Sequence, residues 1–149
     1  MNEDQKWMKI AIQEAKKAVN EGEVPVGAIL VKNGMIIAKA HNRPITKNDA
    51  TAHAEILAIR KAGKKEKNYR LVGTTLYVTL EPCLMCLGAL MHARIERIVF
   101  GAKNTKHGCC GSLLDMTNDK QFNHRAIVTG GILEKQCQEI LRSFFSLRR

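Results

Sequence analysis

The chemically most distinctive part of this 149-residue chain is a set of three metal-binding side chains with a carboxylate beside them. His53 is followed two positions later by Glu55, and Cys83 and Cys86 enclose two residues further along the chain. Imidazole and thiolate are ligands that zinc prefers, and three protein ligands leave a fourth position for water, as in catalytic zinc sites. The sequence therefore predicts one catalytic Zn²⁺ per chain, with Glu55 as the acid–base group next to it.

The spacing of these residues predicts how the chain presents them. Pro82 suits the first turn of a helix, where its missing N–H costs nothing. Cys83 and Cys86 are three positions apart, so both lie on one face of that helix. The positive end of the helix dipole favours the thiolate form, which is the form that binds metal. His53 also suits a helix start, which predicts two helix N-termini meeting at one metal ion.

Other interpretations of the two cysteines stay open at this level. A Cys-x-x-Cys pair is also typical of redox proteins and of one half of a structural zinc site. Two cysteines within an apolar helix are also consistent with simple core packing. The nearby histidine, glutamate and proline favour the catalytic zinc site over these alternatives.

Length and composition indicate a single globular domain over residues 1–149, with 45% hydrophobic and 26% charged residues. Five cysteines form no paired disulfide framework, so we expect a reducing, cytoplasmic location. No apolar run reaches the length of a membrane span, and no membrane partner is expected. The net charge of +10 is consistent with a polyanionic partner, although charge alone leaves a simply solvated basic surface equally open.

Hydrophobic periodicity predicts how helices and strands alternate along the chain. We expect an opening helix up to Gly22, a β-hairpin around Asn33-Gly34, a loop over 41–51, a helix from His53 closed by Gly63, and a solvated connection over 64–67. Further on we expect a strand over 74–80, the Cys83 helix, a strand over 95–102, a loop, a short helix over 112–118, a short strand over 126–129 and a closing helix over 134–145. This order predicts a three-layer α/β/α sandwich around a mixed five-stranded sheet. The metal-binding residues then lie where strands end and helices begin.

The chain resembles the bacterial tRNA-specific adenosine deaminases, members of the cytidine deaminase-like superfamily. Its His-x-Glu and Pro-Cys-x-x-Cys elements form the signature of zinc-dependent nucleobase deaminases. The resemblance extends well past this signature and covers nearly the whole chain. The matching stretches are Glu23 to Ala28, Asn42 to Ile45, Thr51 to Glu55, Asn68 to Leu71, Leu76 to Cys83 and Val99 to Ala102.

The resemblance implies a homodimer that converts adenosine to inosine at the wobble position of an arginine tRNA. It assigns His53, Cys83 and Cys86 to the zinc ion, which lowers the pKa of a water molecule. It assigns Glu55 to proton transfer during attack on adenine C6.

The resemblance also implies residues that contact the substrate. Asn42 would hydrogen-bond the flipped base, in a pocket lined by Val26, Ala28 and the backbone of Ala54. An asparagine at such a place is also a common turn residue.

Further contacts with the tRNA anticodon stem-loop are implied outside the pocket. Asn104 and Lys106 would lie near the RNA backbone, although the family often carries aspartate where this chain has Asn104. The chain ends in arginines and aromatic side chains, a combination suited to stacking on bases and binding phosphate. Phe144, Phe145 and Arg149 are therefore candidate RNA contacts, while packing of a phenylalanine in the core remains the alternative.

Two competing functions remain at this level. A zinc deaminase acting on a free base or nucleoside would share all the metal chemistry but would need neither the positive charge nor the C-terminal residues. A zinc-binding RNA adaptor without catalysis would not need the proton-transferring Glu55.

Overall fold

A computed structural model describes residues 1–148, and a mixed five-stranded sheet forms its centre. The strands are β1 (Gly27–Lys32), β2 (Met35–His41), β3 (Thr74–Leu80), β4 (Arg97–Ala102) and β5 (Ile127–Thr129). The helices are α1 (Glu3–Asn20), α2 (Pro44–Lys47), α3 (Ala54–Glu66), α4 (Leu84–His92) and α5 (Glu134–Ser146). Within residues 1–148, none of the helices is both long and apolar enough to cross a membrane.

The strands lie in the order β2-β1-β3-β4-β5. β1 pairs antiparallel with both β2 and β3, whereas β3, β4 and β5 run parallel to one another. Asn33 and Gly34 connect β1 to β2 with positive φ angles of 52° and 73°. Positive φ at both central residues defines the type I′ turn, so the predicted hairpin is confirmed.

Helices cover both faces of the sheet. Alternate residues of β1 point to opposite sides: Ala28 and Leu30 pack beneath α3 and α4, whereas Ile29 and Val31 pack beneath α1 and α5. The two hydrophobic clusters thus lie on opposite faces of one sheet. This arrangement confirms the predicted three-layer α/β/α sandwich.

Gly27 allows α1 to lie directly against the start of β1. A Cβ atom at this position would collide with the backbone of α1 at Ala11 and Ala15. The absence of a side chain at Gly27 therefore lets α1 pack against the first residue of β1, which directly follows the Val24–Val26 segment. That segment lines the cavity described below.

A cluster of polar side chains joins the start of α1 to strands β3, β4 and β5. The Arg97 guanidinium donates hydrogen bonds of 2.8 and 2.7 Å to the two carboxylate oxygens of Asp4, and Tyr77 donates one of 2.9 Å. Arg97 also donates to the Thr129 hydroxyl at 3.0 Å. One carboxylate therefore links α1, β3, β4 and, through Arg97, the short strand β5.

Local structure differs from the predicted elements in three places. The helix that begins after His53 does not end at Gly63, because it continues to Glu66 and Lys67 terminates it in a left-handed conformation. The expected loop over 41–51 contains the one-turn helix α2. Residues 112–118 form turns rather than a short helix, and β5 confirms the strand expected near 126–129.

Candidate active site

His53 and Cys83 occupy equivalent positions at the starts of two helices. His53 is the N-cap of α3 and Cys83 is the N-cap of α4, and both have extended backbone conformations. Neither side chain makes an N-cap hydrogen bond to its own helix, so both can point towards the same centre. Cys86 lies in the first turn of α4 and is fully buried. The predicted meeting of two helix N-termini is therefore present.

The three side chains converge at the distances that a tetrahedral zinc site requires. His53 Nδ1 lies 3.7 Å from Cys83 Sγ and 3.4 Å from Cys86 Sγ, and all three ligand atoms lie within 4.8 Å of one another. Zinc–nitrogen and zinc–sulfur bonds of about 2.0–2.1 and 2.3 Å, at a tetrahedral angle, separate the two atoms by about 3.6 Å. The observed separations lie on either side of this value, so the residues fit a zinc ion. Among residues 1–148, no other group of histidines, cysteines and acids gathers in this way.

The two neighbouring thiols shift each other's pKa in opposite directions. Donation from Cys86 lowers the pKa of Cys83 to about 4, and the neighbouring His53 contributes in the same direction. The same hydrogen bond raises the pKa of Cys86, with burial adding to the effect. Cys83 is thus a thiolate at neutral pH, the form that binds metal.

Glu55 is a buried carboxylate beside these ligands. It lies in the first turn of α3 and is 4% exposed. Burial raises the pKa of Glu55 to about 7, because a charged carboxylate loses its hydration there. A group that titrates near neutral pH both accepts and returns a proton readily, which is what general acid–base catalysis needs.

These residues open into one small cavity of 230 Å³. This volume lies below the roughly 300–1,000 Å³ of drug-sized ligand sites, so it suits a group of about the size of one base. Helix starts, a strand end and two loops contribute its lining, which comprises Val24, Val26, Asn42, His53, Glu55, Leu80, Glu81, Cys83, Asn104 and His107.

The cavity includes some of the predicted substrate-binding residues but not all of them. Val26, Asn42 and Asn104 line it, and Asn42 is largely buried there. Ala28 and Ala54 are fully buried in the hydrophobic cluster behind the cavity and are not among its lining residues. Lys106 is exposed on the 103–112 loop and is not among them either.

Glu81 anchors one wall of the cavity and was not predicted as a site residue. Its buried carboxylate accepts hydrogen bonds from the backbone N–H groups of Asn104, Cys110 and Ser112, and from the Ser112 hydroxyl. Gly108 packs so closely on this carboxylate that a Cβ atom there would collide with it. Glu81 therefore fixes the 103–112 loop across the cavity.

The chain matches the model of the cytidine and deoxycytidylate deaminase zinc-binding region over residues 1–102. It is 52% identical over 145 residues to the tRNA-specific adenosine deaminase of Bacillus subtilis, covering 97% of this chain and 90% of that protein. It is 48% identical over 147 residues to the tRNA-specific adenosine deaminase of Haemophilus influenzae, covering 98% and 85%. The chain belongs to the zinc-binding deaminase family that includes these tRNA-specific adenosine deaminases.

Solved structures agree with this assignment. A structure determined in a study of A-to-I editing by tRNA:A34 deaminases has a TM-score of 0.87 and 43% identity, covering 90% of this chain and 97% of that chain. The guanine deaminase of Bacillus subtilis has a TM-score of 0.66 and 45% identity, covering 70% and 67%. With the family model and the His/Cys/Cys geometry together, Zn²⁺ is the metal of this deaminase, at one ion per chain.

The end of α5 places the predicted aromatic residues in different environments. The Phe144 ring is buried, and the Arg148 guanidinium lies 3.6 Å from its centre. The Phe145 ring is 47% exposed and contacts Phe144 edge-on at 5.4 Å. Burial leaves no face of Phe144 open to a base, so Phe145 is the accessible ring. Arg149 lies outside the described residues.

Four residues that line the cavity were not predicted from the sequence: Val24, Leu80, Glu81 and His107. The sequence carries one signal for Glu81, an acidic residue between an apolar strand and Pro82 at the start of the metal-binding helix. His107 lies in a loop whose path depends on Glu81, 26 positions earlier in the chain. No local pattern identifies such a residue.

Proposed function

We propose that this chain deaminates adenosine to inosine at the wobble position of tRNA, with an arginine tRNA as substrate. The observation that carries the proposal is a buried Glu55, with a pKa of about 7, in the same base-sized cavity as His53 and Cys83. The relatives named tRNA-specific adenosine deaminases supply the substrate class.

Glu55 performs the proton transfers of this reaction. Zinc, held by His53, Cys83 and Cys86, supplies a water molecule acidic enough to ionise near neutral pH. Glu55 accepts one proton from the attacking water and passes it to the purine ring. It then takes the second proton from the same oxygen and passes it to the departing amino group. A C–O bond forms at C6 as the C–N bond breaks, ammonia leaves, and nothing is oxidised or reduced.

The cavity walls hold the base for this reaction. The target base leaves its stack and enters the cavity, since its C6 is inaccessible within a stacked loop. Asn42 donates to or accepts from the edge of the base, and Val26 contacts the ring. Ala28 and the backbone of Ala54 support these residues from behind. Asn104, on the 103–112 loop, provides a further polar side chain in the cavity lining.

Contacts outside the cavity bind the RNA loop. Lys106, exposed beside the cavity-lining His107, binds a backbone phosphate. Phe145 stacks on a base of the anticodon loop, with Arg149 nearby in sequence. Phe144 acts indirectly by supporting Phe145. The net charge of +10 supports an anionic macromolecule as substrate.

We also infer that the chain is one domain over residues 1–149, works in the cytoplasm and forms a homodimer. Leu84 and Met85 support the dimer, because they are 56% and 38% exposed on the first turn of α4, beside the zinc ligands. Adjacent exposed apolar side chains contribute to the apolar patches that mark protein interfaces. Light scattering at micromolar concentration tests the dimer, and a monomeric mass contradicts it.

Deamination of a free base is the second candidate function. The similarity to a guanine deaminase favours it, and the metal chemistry is common to both candidates. Recognition of a free base gives no role to the excess of positive charge or to an exposed Phe145. We therefore rank it below tRNA deamination.

One experiment separates these functions. Purified protein is incubated with transcribed arginine tRNA, with the same tRNA carrying guanosine at the wobble position, with free adenosine and with guanine. We expect inosine only in the first tRNA, detected by nuclease digestion and chromatography. Conversion of free adenosine or guanine, with none of the tRNA, establishes the rival function. RNA binding without any turnover establishes a non-catalytic adaptor.

A further inference from the structure

A basic cleft lies next to the catalytic cavity, between β2, α2 and α3. It has a volume of 270 Å³ and is lined by eight residues, six of which carry basic side chains: His41, Arg43, Lys47, Arg60, Lys61 and Lys64. Ala40 and Leu57 complete the lining. No acidic residue is among the lining residues, so the polar side chains of the lining are all basic.

Acidic neighbours compensate only part of this charge. Glu21 accepts hydrogen bonds from His41 and Arg43, and Asp49 forms an ion pair with Arg60 at 3.4 Å. Within the part of the chain that the structure describes, the remaining lysines of the cleft, Lys47, Lys61 and Lys64, form no ion pair with a carboxylate. Three exposed ammonium groups therefore have no counter-charge from this region of the chain.

Two of these lysines are arranged for binding rather than for folding. Lys61 and Lys64 are three positions apart on α3, where like charges repel and destabilise the helix. The Lys61 ammonium donates to the carbonyl oxygen of Lys39 at 2.7 Å, which holds it at the β2 wall with donors to spare. Lys47 faces the cleft from the last turn of α2.

The cleft and the catalytic cavity meet at consecutive residues. Asn42 lines the cavity, whereas His41 and Arg43 on either side of it line the cleft. Successive Cα atoms are about 3.8 Å apart, so residues that line the cavity and residues that line the cleft are direct neighbours in the chain. A nucleotide whose base occupies the cavity therefore places a neighbouring backbone phosphate within reach of the cleft.

We propose that the basic cleft binds backbone phosphates of the RNA strand next to the deaminated nucleotide. Lys47, Lys61 and Lys64 replace phosphate counterions, and the cleft sets the direction in which the strand leaves the cavity. This inference rests on the proposed tRNA substrate. It adds a second anchoring surface on the α2–α3 side of the cavity, distinct from the 103–112 loop and from α5.

The test compares a cleft variant with a charge-matched control in the full-length zinc-loaded protein. The cleft variant is Lys47→Ala with Lys64→Ala, and the control is Lys9→Ala with Lys16→Ala on α1, on the other face of the sheet. All four lysines are exposed, so neither variant disturbs the core. KM and kcat for an arginine anticodon stem-loop are measured at several salt concentrations, and zinc content is checked.

We expect the cleft variant to raise KM and leave kcat nearly unchanged. Loss of two phosphate contacts reduces the slope of log affinity against log salt by about 1.4. Wild-type affinity then falls about 7-fold more than that of the variant between roughly 50 and 200 mM salt. The α1 control keeps the wild-type slope.

Each alternative outcome has a separate meaning. A wild-type slope in the cleft variant overturns the cleft as a phosphate site, and so does an equal loss in the control, which reduces the effect to net charge. If wild-type protein fails to deaminate the stem-loop at all salt concentrations, the proposed function fails instead. The two failures are distinguished because the first needs an active wild-type enzyme.

Discussion

At the scale of single residues, burial gives Glu55 its chemistry. A solvated glutamate has a pKa near 4.3 and is a poor proton donor at neutral pH. In the cavity wall, desolvation raises the pKa of Glu55 to about 7, so the group can both accept and donate a proton near neutral pH. The His53, Cys83 and Cys86 ligands lie beside it but do not depend on it for their position, since the starts of α3 and α4 fix them.

Glu55→Ala is therefore expected to keep zinc and lose activity. Removing a general acid–base group lowers kcat by about 10²–10⁴-fold, while the three ligands remain in place. Metal analysis and single-turnover deamination of the stem-loop measure the two effects separately. Glu66→Ala, at the far end of the same helix where the carboxylate pairs with Lys32, is the control and should retain activity. Near-normal turnover in Glu55→Ala excludes the assigned mechanism.

Glu81→Gln probes the loop that closes the cavity. The amide keeps the shape of the side chain but turns an N–H₂ group towards backbone N–H donors that now bond to a carboxylate. Hydrogen bonds to a charged group contribute about 1.5–3 kcal/mol, so the free energy of unfolding should fall by about that amount. Urea denaturation measures it, with the exposed Glu96→Gln as control. Equal stability of the two variants would show that the conformation of the 103–112 loop does not depend on the Glu81 carboxylate.

At the scale of helices and strands, the Asp4–Arg97 pair makes the attachment of α1 dependent on pH. The hydrogen bonds from Arg97 hold the pKa of Asp4 below its usual range. A depressed pKa in the folded state means that the stabilisation is complete above the unfolded value, near 3.9. It is lost as pH falls below that value towards the folded pKa.

Asp4→Asn should therefore lower the free energy of unfolding at pH 7 by about 1.5–3 kcal/mol, since it removes hydrogen bonds to a charged group. The difference from wild type should shrink as pH falls below about 4, because Asp4 then binds a proton in the unfolded chain before it does so in the folded protein. Urea denaturation at pH 7 and pH 3 provides the comparison. Glu3→Gln, also in the first turn of α1, serves as control. A difference that is independent of pH contradicts the role of the Asp4 charge.

Phe145 is the second element-scale test, because α5 buries one phenylalanine and exposes the next. Phe145→Ala should weaken stem-loop binding by about 1–3 kcal/mol, the usual contribution of one stacked base. Leu147→Ala removes another exposed apolar side chain from the same segment and should leave RNA affinity unchanged. Fluorescence anisotropy measures both. Equal affinities for the two variants remove Phe145 from the RNA-binding surface.

The sequence predicted most elements because their signals are local. The hairpin follows from Asn33-Gly34, and the mixed sheet covered on both faces follows from apolar strands alternating with amphipathic helices. Gly63 was misinterpreted as a helix end. The helix continues past Gly63 to Glu66. It ends there because Lys67 adopts the left-handed conformation and donates its N–H to the Gly63 carbonyl. A lysine at that position carries no sequence signal for a helix end.

Residues 112–118 were predicted wrongly for a different reason. Their polar groups bond to distant or adjacent partners instead of forming a helix: Ser112 to Glu81, Leu114 N–H to the Gly108 carbonyl, and Thr117 to the Asp115 carboxylate. The hydrogen bond between Ser112 and Glu81 forms only once the sheet has folded, so no local sequence pattern predicts it. The ligand set was predictable because zinc chemistry restricts residue types and spacing, whereas cavity walls come from separate parts of the fold.

At the scale of the whole molecule, the charge of +10 is spread unevenly. Six basic side chains gather in one cleft beside the cavity, and Arg148 and the loop lysines extend the positive surface elsewhere. Two carboxylates compensate part of that charge: Glu21 pairs with Arg43 and also bonds to His41, and Asp49 pairs with Arg60. What remains is a surface potential that attracts polyanions over a Debye length of about 10 Å.

Stem-loop binding should therefore weaken steeply as salt rises. If about four phosphates are neutralised on a single-stranded loop, affinity falls roughly 50-fold between about 50 and 200 mM salt. Anisotropy titrations of the stem-loop at four salt concentrations give the slope, and zinc content at each concentration shows that the protein stays intact. An uncharged nucleoside would release no counterions, so a small-molecule substrate predicts a KM that stays flat over the same range. A flat response for the stem-loop, together with efficient deamination of free adenosine, would leave the zinc chemistry in place and transfer the substrate from RNA to a small molecule.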